Sequence, residues 1–331
     1  MTYKANSRVV VNAGREAFLA NATVTSVNAF ASAGYYFQGQ VAGFSAGGSN
    51  TNSIMRFPFA SDTNANSVGN LSYGVNSSTG QSSISNGYTS GGISPSISPG
   101  SINVIHKYPF SSSASSSDVG DLSQSRFSSA GQSSSTSGYT SSGLNPGTPP
   151  GFNTIDKFPF ASNANATDVG DITRLNWAVT GQSSAEHGYT SGGTRQVTST
   201  IIDRFPFASN ANATDVGDMS YEADGRQTGT SSTTRGYTSG GFPAGAGLFN
   251  NIDSFTFASS ANGTDVGDLI SGTYEVAGHS STVSGYNSGG FLPSFPFSSN
   301  VIQKFPFATN ANATDVGDLS SSVKAAAGAQ H

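Results

Sequence analysis

The chain of 331 residues has no cysteine, one tryptophan, three methionines and only 10% charged residues. Each shortage excludes something. Without cysteine there is neither a disulfide framework nor a thiolate metal site, and the redox compartment stays open. No stretch approaches the roughly 18 consecutive apolar residues of a membrane-spanning helix. The formal charge of −5 gives no basic footprint for nucleic acid. The N-terminal MTYKANSRVVVNAGREAF lacks the long apolar run and small-residue cleavage site of a secretory signal. Scarce charge with 41 glycines and abundant Ser, Thr and Asn is a composition shared with disordered linkers. Against disorder stand 22 Phe and 12 Tyr, placed at recurring positions.

The recurrence is a repeat. A Phe/Tyr-Pro-Phe triplet stands at Phe57–Phe59, Tyr108–Phe110, Phe158–Phe160, Phe205–Phe207 and Phe305–Phe307, with Phe255-Thr256-Phe257 as the deviant copy. A Val-Gly-Asp signature follows each, as at Val169–Asp171, with Val68-Gly69-Asn70 in the first copy, and both markers advance by 51, 50, 47, 50 and 50 residues. GYTSGG words, as at Gly188–Gly193, and G-x-S-S words, as at Gly181–Ser184, complete the unit. A period of 40–50 residues with short strands and turns predicts a propeller blade of four strands. The expected fold is all-β: a six-bladed β-propeller over residues 31–331, preceded by an arm at 1–30.

Each piece of the repeat carries an expectation. Alternation in Ile155–Phe160 puts Asp156, Phe158 and Phe160 on one face, with the Phe pair packed between sheets. Pro159 cannot donate to a ladder, which predicts an edge strand or a bulge. Asn163, Asn165 and Asp168 suit Asx turns, and Gly170 a tight turn at positive φ. Gly192 and Gly193 mark a close backbone approach or a bulge. Ten of the nineteen acids belong to the Val-Gly-Asp turns, so the acidity is mostly architectural.

Two segments vary between copies: the one after the paired glycines, five to twelve residues long, and the one after Val-Gly-Asp. In a four-stranded meander both fall at the same end, and the fixed turns fall at the other. Binding usually lives on loops over a rigid scaffold. The aromatic residues in or beside the variable segments, Phe152, Trp177, Phe242, Phe249 and Phe291, are therefore the candidate binding residues. Local loop packing explains them equally well. Residues 27–41 read as a strand upstream of Gly43, and a blade built from both termini would close the ring. In the arm, Val9–Val11 reads as a short strand and Arg15–Ala20 as a helical turn. The arm is either a disordered leader or an anchor on another protein or a second copy of the chain.

Catalytic and metal chemistry finds little support in the sequence. Asn163, Asn165, Asp168 and Asp171 form an oxygen-rich cluster that calcium could use, but Asx turns explain the same residues and no cofactor is expected. His106, His187, His279 and His331 sit at four different repeat positions and form no ligand set. The serines of G-x-S-S recur too often for a nucleophile. Arg56, Lys107, Lys157, Arg204 and Lys304 precede the aromatic triplets, either as an anion-binding ring or as partners of nearby Asp. Glu186, Glu222, Asp224 and Glu275 are the only non-repeated acids available to a polysaccharide-acting enzyme.

The paired glycines, period and four-strand unit resemble kelch-type propeller repeats over about residues 31–331. Kelch blades carry a Tyr and a Trp where Phe-Pro-Phe stands here. The words GYTSGG and FPFASNANATDVGD are similar to repeats of uncharacterised marine bacteriophage proteins associated with the virion. That resemblance implies a non-enzymatic tail- or capsid-associated protein of the particle, extracellular without a signal peptide. Its arm would bind other virion proteins, and its loops would meet a host-surface glycan or protein. A polysaccharide enzyme and a bacterial surface or matrix protein are the alternatives.

Overall fold

The computed structural model describes residues 10–11, 17–18, 38–97, 100–147, 151–194, 198–242 and 247–331. Six four-stranded antiparallel sheets stand in a ring, with their innermost strands in contact from each sheet to the next. The domain is a six-bladed β-propeller, and the described residues contain no helix. In blade 2 the strands Thr79–Ser82, Asn86–Ser90, Val104–Pro109 and Ser117–Asp121 run from axis to rim. The inner strands of blades 3 to 6 are Ala130–Ser133, Thr180–Ser183, Thr228–Ser231 and Ala277–Ser280.

Blade 1 closes the ring from both ends of the chain. Its inner strand, Ala327–Gln330, pairs with Ala42–Ala46, which is followed by Ser53–Pro58 and Asn66–Asn70. The expected strand upstream of Gly43 is therefore replaced by the C-terminal strand. Residues 38–41 instead cross the end of the axis. Gly39 bridges to Ser281, and the buried Gln38 donates Nε2 to the carbonyls of Ser231 and Ser281, at 3.2 and 2.9 Å. Residues 27–37 lie outside the described residues.

The four letters of G-x-S-S do four jobs at the axis. The glycine permits contact between blades: a methyl group on Gly131, Gly181, Gly229 or Gly278 would lie 2.1–2.3 Å from the carbonyl oxygen of the preceding blade's glycine. The second position reaches into the next blade, as Gln81 Nε2 donates to the Tyr139 carbonyl and Gln132 Nε2 to that of Tyr189. The first serine hydroxyl accepts the previous blade's backbone N–H, in the chain Ser82 to Ser133 to Ser183 to Ser231 to Ser280. The last serine caps its own hairpin, as Ser134 Oγ accepts Ser137 N–H at 3.0 Å. Such polar contacts explain how a chain with so few aliphatic residues still packs.

Apolar burial is divided among six clusters, one at each blade junction. Phe158 is buried and Phe160 stacks on Tyr88 of the preceding blade at 4.8 Å. Tyr139 with Phe207, Tyr189 with Phe257 and Tyr237 with Phe307 repeat the contact at 4.7–4.9 Å. Each buried Phe contributes about 1.5–3 kcal/mol. The first glycine of each GYTSGG word lies under an aromatic ring of its own blade: a methyl group on Gly138 would meet the Phe158 ring at 2.3 Å.

Several local expectations are corrected. The strand holding Pro159 is the third of four, not an edge; the proline ends it at Phe152–Pro159, where a missing donor costs little. Gly170 lies inside the outer strand Thr167–Asn176, at φ 152°, beside a register shift, and not in a turn. A methyl group there would meet the Ala211 carbonyl of the next blade at 2.7 Å. Asn165 does not close a local turn, since its Oδ1 accepts Asp121 N–H of the preceding blade at 3.0 Å. Asn212, Asn262, Asn312 and Asn64 repeat this latch. Asp168 does form the expected local bond, accepting Gly170 N–H at 3.1 Å. Gly192 and Gly193 turn the corner after the second strand at φ 67° and 91°.

Asp156 shares a face with the Phe pair, as expected, toward the preceding blade; it is fully buried and forms a clasp between blades. Its carboxylate accepts the backbone N–H and hydroxyl of Ser123 in the preceding blade, at 2.9 and 2.7 Å. Asp203 with Thr173 and Asp253 with Ser220 repeat the clasp. In the arm, Val10–Val11 pairs with Ala17–Phe18, so part of the expected helical turn is strand. The rest of residues 1–30 lies outside the described residues.

Candidate binding site

The fixed turns between the third and fourth strands and the serine-capped hairpins share one end of the propeller, with Gln38–Val41 crossing it. Both variable segments share the other end, because each blade is an antiparallel meander. At this variable end each link between blades finishes in a residue in the left-handed region: Ser77, Ser128, Ala178, Arg226, Glu275 and Ala325, at φ 52–62°. Their backbones form a closed ring. Ser77 N–H donates to Ala325, Ala325 to Glu275, Glu275 to Arg226, Arg226 to Ala178, Ala178 to Ser128, and Ser128 to Ser77, at 2.7–3.0 Å. Non-glycine residues in this conformation are uncommon, and the six hydrogen bonds hold them there.

Just outside this ring, a residue after the paired glycines donates its N–H to the residue that precedes each left-handed one. The six pairs are Ile93 to Asn76, Leu144 to Phe127, Thr194 to Trp177, Phe242 to Gly225, Phe291 to Tyr274 and Ser49 to Lys324, at 2.8–3.4 Å. One backbone pattern thus presents five different side-chain pairs around the mouth, and Phe242 opposite the bare Gly225.

The ring opens on an axial channel of about 160 Å³, lined mostly by inner-strand backbone, small side chains and the Arg226–Glu275 pair. This volume is below the roughly 300–1,000 Å³ of small-molecule pockets, so a sizeable ligand meets the mouth and not the channel. Arg226 Nη1 sits 2.8 Å from Glu275 Oε1, with side chains 38% and 16% exposed. The Arg226 guanidinium also lies over the Tyr274 ring, 5.5 Å from its centroid.

The five candidate aromatics divide between two sides of this end. Phe152 begins the third strand of blade 3, half-buried under the Arg126 guanidinium at 5.4 Å. Trp177 is half-buried in its bridge to Thr194. Phe249 packs on Tyr221 at 4.8 Å. Phe242 and Phe291 both reach Tyr274: Phe242 edge-on at 5.5 Å, Phe291 stacked at 4.6 Å. Phe291 also carries Phe297, stacked at 6.3 Å, and Lys324 Nζ lies 4.6 Å from the Phe291 centroid. This chain of rings across blades 5 and 6 is the candidate site.

Phe295, Phe297, Tyr274, Arg226 and Lys324 were not among the residues singled out from the sequence. Phe295-Pro296-Phe297 is a second copy of the core triplet, ten residues ahead of the buried one at Phe305. The copy falls out of the repeat register, and that mismatch was the available signal. The sequence matches no protein-family model and no curated protein.

The other chemistry considered takes definite places. Asn165 and Asp168 have a side-chain oxygen engaged by backbone N–H, and no group of three or more acidic or imidazole side chains gathers as a metal site among the described residues. His279 is fully buried, with Nδ1 donating to the Ala329 carbonyl and Nε2 accepting from Ser288 Oγ. His106 is also fully buried, against Tyr73 at 5.0 Å. Of the five cations before the triplets, Lys304 alone makes an ion pair among the described residues, with Asp62. Arg56 and Lys157 lie over the Phe44 and Tyr139 rings instead. No helix among the described residues is long and apolar enough to cross a membrane.

Proposed function

We propose that the chain is a non-enzymatic structural and adhesion protein of a bacteriophage particle, with the variable end of the propeller facing the ligand. The observation that carries this reading is the mouth itself, where one hydrogen-bonded backbone pattern, repeated six times, displays unlike side chains. A scaffold that holds backbone constant while side chains differ is how binding loops are usually built. The chain crosses the opposite end at Gln38–Val41, which suits an arm that docks on the particle while the variable end points away. The repeat wording, similar to that of virion-associated phage proteins, supports the location.

A binding role also fits the charge inventory. Glu275 is the one carboxylate lining the channel among the described residues, and it is held by Arg226. Glycoside hydrolysis ordinarily works with two carboxyl groups flanking the bond. Mass spectrometry of purified particles tests the placement: the protein is expected in fixed ratio to capsid or tail protein, and its absence there overturns the proposal.

A further inference from the structure

We propose that the aromatic chain across blades 5 and 6 is a binding site for an acidic saccharide, one bearing a carboxylate such as a uronate or sialate. This rests on the reading that the variable end faces the ligand. Phe242, Phe295 and Phe297 are 41%, 85% and 50% exposed, whereas the scaffold copy of the triplet buries Phe305 to 2%. Phe242 and Phe297 are braced by neighbouring rings, and Phe295 meets Phe297 edge-on at 6.2 Å. Phe297 stacks on Phe291, Phe291 on Tyr274, and Tyr274 is fixed by the backbone bridge to Phe291. Rigid rings with open faces offer large contact area at low cost in conformational entropy, and the C–H faces of a pyranose fit them.

Charge narrows the class. Lys324 makes no ion pair among the described residues, although the chain as a whole carries −5. An ammonium that lies over Phe291 with no carboxylate partner among the described residues favours a ligand that combines apolar faces with negative charge. Next to it, Arg226 and Glu275 present planar donors and acceptors suited to hydroxyl groups. A neutral sugar would leave the ammonium unused. A purely apolar peptide would cover a partly exposed ion pair and strip its water without replacing it.

The test is binding of the full chain to an immobilised panel of uronate- and sialate-containing oligosaccharides, with neutral hexose oligosaccharides alongside. Binding to at least one acidic member is expected, weakening as salt is raised. Phe295→Ala with Phe297→Ala should weaken it at least tenfold, and Lys324→Gln several-fold with a flatter salt dependence. Asn163→Ala, on an exposed turn at the opposite end of the propeller, should leave it unchanged. Unchanged thermal unfolding of these surface variants shows that loss of binding is not loss of fold. No acidic member bound, equal binding of neutral sugars, or insensitivity to the Phe and Lys changes overturns the site. Adsorption to host cells that survives periodate but not protease also overturns it, while the adhesion reading stands; no adsorption at all removes both.

Discussion

A methyl group on Gly80 would lie 1.9 Å from the carbonyl oxygen of Gly328, so the first complete blade and the C-terminal strand meet with no room for a side chain. The same closeness recurs around the axis, and it makes the propeller a ring whose blades share one fit. Gly181→Ala should therefore destabilise the whole ring, by about 1–3 kcal/mol or more, because the obstructing atom is backbone. Gly147→Ala, where the nearest atom is 3.8 Å away, should be nearly neutral. Denaturant midpoints of the two variants check this; equal midpoints would deny the close packing at the axis.

The buried pair Arg126–Asp156, at 2.7 Å with both side chains fully buried, predicts a large asymmetry. Arg126→Met leaves the buried Asp156 carboxyl without its guanidinium partner, and should cost about 3–5 kcal/mol. Adding Asp156→Asn should recover much of the loss, because the remaining partners at Ser123 can still bond an amide. A double-mutant cycle in chemical denaturation measures the coupling.

His279 sets a pH dependence. Burial lowers its pKa from 6.5 to about 4, while its bond to the Ala329 carbonyl opposes the change in part. A folded pKa below the unfolded one stabilises the protein above pH 6.5, and that contribution is lost as pH falls toward 4. The full effect is about 3 kcal/mol. His279→Gln, which places there the residue that blades 2 to 4 carry as Gln81, Gln132 and Gln182, should flatten the fall in melting temperature over that window.

Asp203 and Asp253 act in the opposite sense. Burial raises both pKa values above 3.8, with the hydrogen bonds from Thr173 and Ser220 opposing the shift. Their contribution is fully present below 3.8 and is lost as pH rises through the folded values. Asp203 Oδ1 is buried with no hydrogen-bond partner, as suits a carboxyl that takes a proton readily. The wild-type protein should gain stability relative to Asp203→Asn/Asp253→Asn as pH falls from neutral. A constant difference across pH would contradict this.

Much of the fold was legible because six equivalent radial positions impose the same demands six times. The aromatic triplet, the paired glycines and the G-x-S-S word each answer one packing requirement, and so they recur. What recurs for contact with a neighbouring blade was misread as local. Asn165 and Gly170 looked like turn residues, yet both serve the adjacent blade. Alternation placed Asp156 on the face it occupies, but it could not show that Ser123 of the preceding blade would clasp it there. The candidate site was legible only in part. Phe242 and Phe291 stand at variable positions, whereas Phe295 and Phe297 borrow the wording of the core. Arg226 and Lys324 lie in links whose shared backbone conformation becomes visible only once the ring is closed.

Adsorption of the purified protein to host cells tests most directly where binding lies. Two variants are compared with the wild type: Phe242→Ala/Phe295→Ala/Phe297→Ala at the variable end, and Asn163→Ala/Asn210→Ala on exposed turns at the fixed end. The first should lose at least tenfold in adsorption with an unchanged melting temperature, and the second should keep it. Retained adsorption in the first and loss in the second would place binding on the repeated scaffold and contradict the central claim.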